Sequence, residues 1–131
     1  MTDEQIALAR RAVTCRGWRW LRGMLRHDDY RYVGSGVWAR WSDTASVMTA
    51  LHMPDQLPDL QDPATAGCML ALVREAWGSP SAYAMPWGSS PQSQTPAGWS
   101  MMVTADDTLP TAKLSAPTEA EALVAALEGA P

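Results

Sequence analysis

The sequence has no long hydrophobic run: no uncharged apolar stretch approaches the roughly 18 residues that a membrane-spanning helix needs. Charge is also sparse, since only 18% of the residues are charged while 47% are apolar. A disordered chain would be poorer in apolar residues than this one. We therefore expect a soluble globular protein with no membrane partner.

Cysteine and histidine are scarce, with two residues of each. Cys15 and Cys68 fall in apolar helical stretches, where two thiols are usually small buried hydrophobes rather than a disulfide or a metal site. The sequence contains no Cys-x-x-Cys pair, no phosphate-binding loop and no nucleophile elbow. It therefore predicts no cofactor and no metal, and it favours a role other than catalysis.

A secretory signal is missing as well. The N-terminal letters MTDEQIALARR have acids where a signal has basic residues and then an apolar core. We therefore expect the protein to remain in the cytoplasm in which it is made. A chain of 131 residues matches the size of one domain, so residues 1–131 are predicted to fold as a single unit.

Charge is unevenly distributed along the chain. Residues 1–40 hold eight arginines and four acids, whereas residues 41–131 hold two basic residues and ten acids. One interpretation is that the two parts lie together and pair their surfaces. The other is an anion-binding face, because the planar fork of arginine suits phosphate and carboxylate groups. The net charge of −4 argues against tight binding of duplex nucleic acid.

The clearest element is a helix over residues 62–78. Asp62 is suited to cap its start, Pro63 to occupy the first helical position, and Gly78 to end it. No charge occurs from Ala66 to Val73, which predicts a helix buried on all sides. In that case a strip of small residues should be approached closely by neighbouring elements: Ala64, Gly67, Cys68 and Ala71.

Caps and apolar spacing predict two more helices, each covering a sheet, at residues 2–16 and 118–129. Alternation and turn residues predict short strands near 30–33, 37–41, 81–87, 98–105 and 111–114. Residues 42–61 are interpreted as a connection with a short helix at 45–52, and residues 89–97 as a mobile loop. Together these predict an α/β fold of the α+β type: an α-β-α sandwich with three helices and a mainly antiparallel sheet of about five strands.

Several segments resemble the phage ABA sandwich domain family of small bacteriophage and prophage proteins. The matching letters are DPAT at 62–65, GC at 67–68, LALVREAWG at 70–78 and TEAEALVAALE at 118–128, with ARRAV at 9–13, WRW at 18–20 and GML at 23–25. The resemblance implies an α-β-α sandwich encoded by a phage or prophage and acting in a bacterial host. It implies no catalytic residues.

A segment that mixes arginines with tryptophans is the predicted ligand-binding site. Its residues are Arg16, Trp18, Arg19, Trp20 and Arg22. Such interleaving can bind an anion and stack on a flat ring. The other interpretation is that the tryptophans anchor the core and the arginines lie along their outer edge.

Three classes of function remain open. The first is a small phage accessory protein that binds an anionic, nucleotide-like ligand or a host protein, in counter-defence. The second is an enzyme of nucleotide metabolism that uses His27, Asp28 and Asp29, with His52 and Asp55 as further candidates for an acid-base or metal cluster. The third is a virion or assembly component, in which seven tryptophans and an apolar hairpin form the interface of a homo-oligomer.

Overall fold

The computed structural model describes residues 1–41, 47–51, 56–88, 97–104 and 110–131. Within these ranges the chain has the predicted α+β fold, with helices and antiparallel sheets. The elements in chain order are α1 Asp3–Thr14, β1 Arg31–Gly34, β2 Val37–Trp41, β3 Val47–Leu51, α2 Pro63–Trp77, β4 Tyr83–Trp87, β5 Gly98–Thr104, β6 Pro110–Ala116 and α3 Glu119–Glu128.

Each of the three helices in the described ranges begins at the cap that the sequence predicts. Thr2 and Gln5 form a reciprocal capping box at the start of α1. Asp62 caps α2 and Thr118 caps α3, each by accepting a hydrogen bond from a backbone amide of the first turn. Gly78 ends α2 in the left-handed conformation, with φ of 61°. The positions of the helices are thus set by local residue choices.

Within the described ranges, the strands divide into two separate sheets. The first has the order β1-β2-β3 and the second the order β4-β5-β6, and every pair is antiparallel. The short helix predicted at 45–52 is wrong, because residues 47–51 pair with β2, Trp38 lying opposite Ala50. Pairing with a neighbouring strand outweighed a weak local preference for helix. The predicted loop at 89–97 lies outside the described residues except for Ala97.

Helix α3 is the centre of the core. It packs against α1, against α2 and against the second sheet, which confirms that it covers a sheet face. Its Leu123 and Val124 are fully buried, as is Met101 of β5. The indole of Trp77 in α2 donates a hydrogen bond of 2.8 Å to the carbonyl of Ala126 in α3. Helix α1 was predicted to cover a sheet, but its main partner in the described chain is α3.

Helix α2 is buried on one side, so the prediction of burial on all sides is wrong. Its buried residues are Thr65, Met69, Leu72 and Val73. Ala64, Gly67 and Ala71 are exposed and Cys68 is half-buried. A methyl group at Gly67 would meet no heavy atom within 4 Å. Small apolar residues such as these leave a helix face uncharged even when no neighbouring element covers it. The absence of charge therefore wrongly predicted that this face of α2 is buried.

Ion pairs join the basic and acidic parts of the chain, as one interpretation of the charge distribution predicted. Within the described residues, such pairs link an arginine of the first 40 residues to an acid of the later part: Arg11 with Glu128, Arg19 with Glu75 and Arg31 with Asp62. The last is partly buried and ties β1 to the start of α2. Among the described helices, none is long and apolar enough to cross a membrane.

Candidate functional site

The two tryptophans of the predicted site make packing contacts. Trp18 and Trp20 are half-buried and meet edge-on, with ring centroids 5.3 Å apart and planes at 78°. Trp20 also meets Trp38 of β2, which is fully buried, at 4.5 Å and 85°. Edge-to-face pairs of this kind add stability beyond the area that they bury. The rings therefore attach residues 18–20 to the first sheet, as the core-anchor interpretation predicted.

Arg19 already has a counter-charge. Its guanidinium contacts both carboxylate oxygens of Glu75 at 2.7 Å. The hydrogen bond between them raises the pKa of Arg19 and lowers the pKa of Glu75. Both side chains are more than half exposed, so the pair contributes little stability. A ligand anion at Arg19 would have to compete with this carboxylate.

The other two arginines of the predicted site lie at different places. Arg22 lies against the turn between β1 and β2, where a methyl group at Gly34 would stand 3.1 Å from its Nη2 atom. Arg16 instead lines a cleft beside the last turn of α1. The three predicted arginines, Arg16, Arg19 and Arg22, therefore have different neighbours.

The cleft at Arg16, which we call the arginine cleft, has a volume of about 720 Å³. The last turns of α1, α2 and α3 meet there, because Thr14, Ala76 and Leu127 all contribute to its walls. The lining also includes Arg11, Cys15, Arg16, Gly17 and Glu128. The cleft thus combines an apolar wall with a charged rim.

Two of the charged groups in the arginine cleft neutralise each other. Arg11 is held by both oxygens of Glu128, with Nε 3.3 Å from Oε2, and this hydrogen bonding raises the pKa of Arg11. Arg16 is exposed and has no hydrogen bond or ion pair from its side chain within the described residues. The lining side chains therefore carry one uncompensated positive charge, that of Arg16.

The ends of the helices oppose this charge, because the C-terminal turn of a helix carries a partial negative charge. Local hydrogen-bond donors already satisfy some of the backbone carbonyl groups that carry this negative charge. The carbonyl of Arg11 accepts hydrogen bonds from the Thr14 hydroxyl at 2.8 Å and the Cys15 thiol at 3.3 Å, and the carbonyl of Ala125 accepts one from the Gly129 amide at 3.0 Å. Burial raises the pKa of the Cys15 thiol, which favours the neutral form. Arg16 therefore remains the main attraction for an anion.

The proposed acid-base cluster is not assembled among the described residues. His27 has its Nδ1 atom 3.2 Å from the carbonyl oxygen of Leu57, and Asp28 is held by Arg26. No group of three potential metal ligands occurs in the described ranges. His52 and Asp55 lie outside those ranges. The contacts of His27 and Asp28 are those of residues that hold a turn in place.

Sequence reasoning did not single out Arg11, Glu128 or Arg26. Arg11 and Glu128 are 117 positions apart, so no local pattern could join them. The pairing of Arg26 with Asp28 could have been predicted, because the two residues are two positions apart in the sequence. The burial of Arg26 could not have been predicted in the same way. The missing information was which surfaces the fold brings together.

A second cleft, of about 500 Å³, lies at the first turns of α2 and α3. We call it the tryptophan cleft, after Trp99 of β5. Its lining includes Leu60, Gln61, Ala66, Trp99, Glu119 and Ala120. No residue that lines the arginine cleft also lines this one.

Comparison with known proteins gives no guide to function. No protein-family model, no curated protein and no solved structure matches this chain.

Proposed function

We propose that this protein binds a small anionic, nucleotide-like ligand in the arginine cleft. The observation that supports the proposal is Arg16, an exposed cation that lines a cleft and has no partner in the described chain. A guanidinium donates hydrogen bonds in a planar fork that matches phosphate and carboxylate oxygens. Arg16 is therefore the residue that we expect to hold the anionic group.

The shape of the arginine cleft agrees with a ligand of this kind. Its volume of about 720 Å³ lies within the roughly 300–1,000 Å³ of small-molecule sites. Gly17, Ala76 and Leu127 supply an apolar wall next to the charged rim. A base or another flat ring would lie on that wall while the phosphate faces Arg16.

The biological role that we propose is that of a phage or prophage accessory protein. The support is the resemblance of the helical segments to the phage ABA sandwich domain family. A small phage product without catalytic groups would act by capture, and removal of an anionic molecule from the bacterial cytoplasm would counter a host defence. On this proposal the protein binds its ligand without converting it.

A thermal-shift panel of mono-, di- and cyclic nucleotides tests the proposal. A ligand that binds the native state raises the melting temperature by mass action. We expect at least one nucleotide to do so, and we expect Arg16→Gln to remove the shift. Arg10→Gln is the matched control, because Arg10 is also exposed on α1 but does not line the cleft. A panel without any shift would contradict the proposal.

Arg19 and Arg22 separate the arginine cleft from the site predicted from the sequence. Arg19 is paired with Glu75 and Arg22 lies at a turn of the first sheet. If the ligand occupies the arginine cleft, Arg19→Ala and Arg22→Ala should change its affinity less than Arg16→Gln does. A larger effect of Arg19→Ala or Arg22→Ala would mean that the ligand binds at residues 16–22, as the sequence predicted, and not in the arginine cleft.

A further inference from the structure

The tryptophan cleft carries a negative charge. Glu119 is the one charged side chain in its described lining, and no ion pair to Glu119 occurs within the described ranges. Glu119 is exposed as a whole residue. A carboxylate without a counter-charge attracts a cation.

The helix starts at this cleft do not reverse that charge. The N-terminus of a helix attracts anions through its free amides. In α2 the first helical residue is Pro63, which has no amide hydrogen, and the amide of Thr65 donates to Asp62 at 2.9 Å. In α3 the amide of Glu121 donates to the Thr118 hydroxyl at 3.2 Å. Several of the donors that an anion would use are thus absent or occupied.

The walls of the cleft suit a long, flat and partly apolar group. Trp99 is the aromatic residue of the described lining. Leu60 and Ala120, each 7% exposed, are apolar residues that also line the cleft. An indole attracts a cation placed over its face, and a guanidinium also stacks on it as a plane. The stem of an arginine would contact the apolar residues and its head would reach Glu119.

We propose that the tryptophan cleft binds an arginine side chain of a partner protein. Glu119 supplies the counter-charge and Trp99 the stacking surface. Charge complementarity selects this occupant, because the described lining has no cationic side chain to hold an anion. The site is independent of the arginine cleft, so it stands whether or not a nucleotide binds at Arg16.

The test is a titration of the ¹⁵N-labelled protein with the peptide acetyl-Gly-Arg-Gly-amide, followed by NMR. The indole signal of Trp99 is assigned from its loss in Trp99→Phe. We expect this signal to shift and to saturate with the arginine peptide. The same peptide with citrulline, which keeps the shape of arginine but is neutral, should bind about fivefold more weakly or worse.

The variant Glu119→Gln removes the charge while keeping the side chain's size. We expect this variant to bind the arginine peptide as weakly as the native sequence binds the citrulline peptide. The control Glu4→Gln makes the same change in the first turn of α1, far from the lining residues in sequence, and should leave binding unchanged. A Trp99 signal that does not move, or one that responds equally to citrulline, would overturn the proposal. So would binding that survives Glu119→Gln.

Discussion

Arg26 donates two hydrogen bonds to the carboxylate of Asp28, each 2.7 Å long, and its own side chain is only 4% exposed. The guanidinium lies 4.8 Å from the ring centre of Tyr30 and 5.0 Å from that of Trp38. A buried cation requires a paired charge, because the cost of removing it from water is otherwise not offset. Asp28 therefore acts in folding, as the counter-ion of a buried arginine.

Replacing Asp28 with asparagine should destabilise the protein. The substitution leaves Arg26 buried without its counter-charge, and we expect a loss of about 1.5–3 kcal/mol, the range for hydrogen bonds to charged groups. Urea unfolding at pH 7 measures it. The control is Asp29→Asn, since Asp29 is exposed and its φ of 68° is one that asparagine accepts. Equal stability of the two variants would contradict this role for Asp28.

The stability that Asp28 contributes should depend on pH. The hydrogen bond from Arg26 holds the pKa of Asp28 below its usual value in the folded state. As the pH falls, the carboxylate of Asp28 is therefore protonated in the unfolded chain before it is protonated in the folded protein, at an unfolded pKa of about 3.9. The contribution is complete above that value and is lost as the pH falls through the folded pKa. Measured by urea unfolding from pH 7 to pH 3, the difference between the native sequence and Asp28→Asn should shrink with acid; a constant difference would count against the pair.

Helix caps made much of the fold predictable. Thr2, Asp62 and Thr118 act within three residues of themselves, so the sequence alone locates all three helix starts. The strand at 47–51 was missed because its partner, β2, decides its conformation. The exposure of Gly67 was missed because composition shows that a residue is small and apolar, and does not show which side of a helix has a neighbour.

Substitution of Gly67 with alanine should stabilise the protein. Gly67 is in the middle of α2 and exposed, and a methyl group there meets no heavy atom within 4 Å. Alanine loses less backbone entropy in a helix, so we expect a gain of about 0.5–1 kcal/mol. Thermal melting measures the change. A lower melting temperature would mean that this face of α2 is covered.

Gly98 should give the opposite result. A methyl group at this position would lie 2.8 Å from the carbonyl oxygen of Ala116 and 3.0 Å from the ring of Trp87. Backbone and a packed ring cannot move freely, so Gly98→Ala should cost about 1–3 kcal/mol. Gly88→Ala is the control, because no heavy atom lies within 4 Å there. Chemical unfolding measures the stability of the two variants side by side. Equal stability would contradict the close approach of Ala116 and Trp87 to Gly98.

The candidate site was predictable only in part. The sequence singled out Arg16 because arginine and tryptophan alternate after the first helix, and Arg16 does line a cleft. It could not assign Glu75 to Arg19, since these residues are 56 positions apart. Nor could it show that the last turns of three helices meet at Arg16, because that depends on how the helices pack.

The most direct test of the proposed function is the dissociation constant of the best nucleotide from the thermal-shift panel, measured by calorimetry for three proteins. We expect Arg16→Gln to weaken binding about tenfold or more, as the loss of a charge-assisted hydrogen bond predicts, and Arg10→Gln to bind like the native sequence. The affinity of the native sequence should also fall with added salt, which screens charges at an open site. Binding that is equally tight in Arg16→Gln and in the native sequence would contradict an anion site at the arginine cleft.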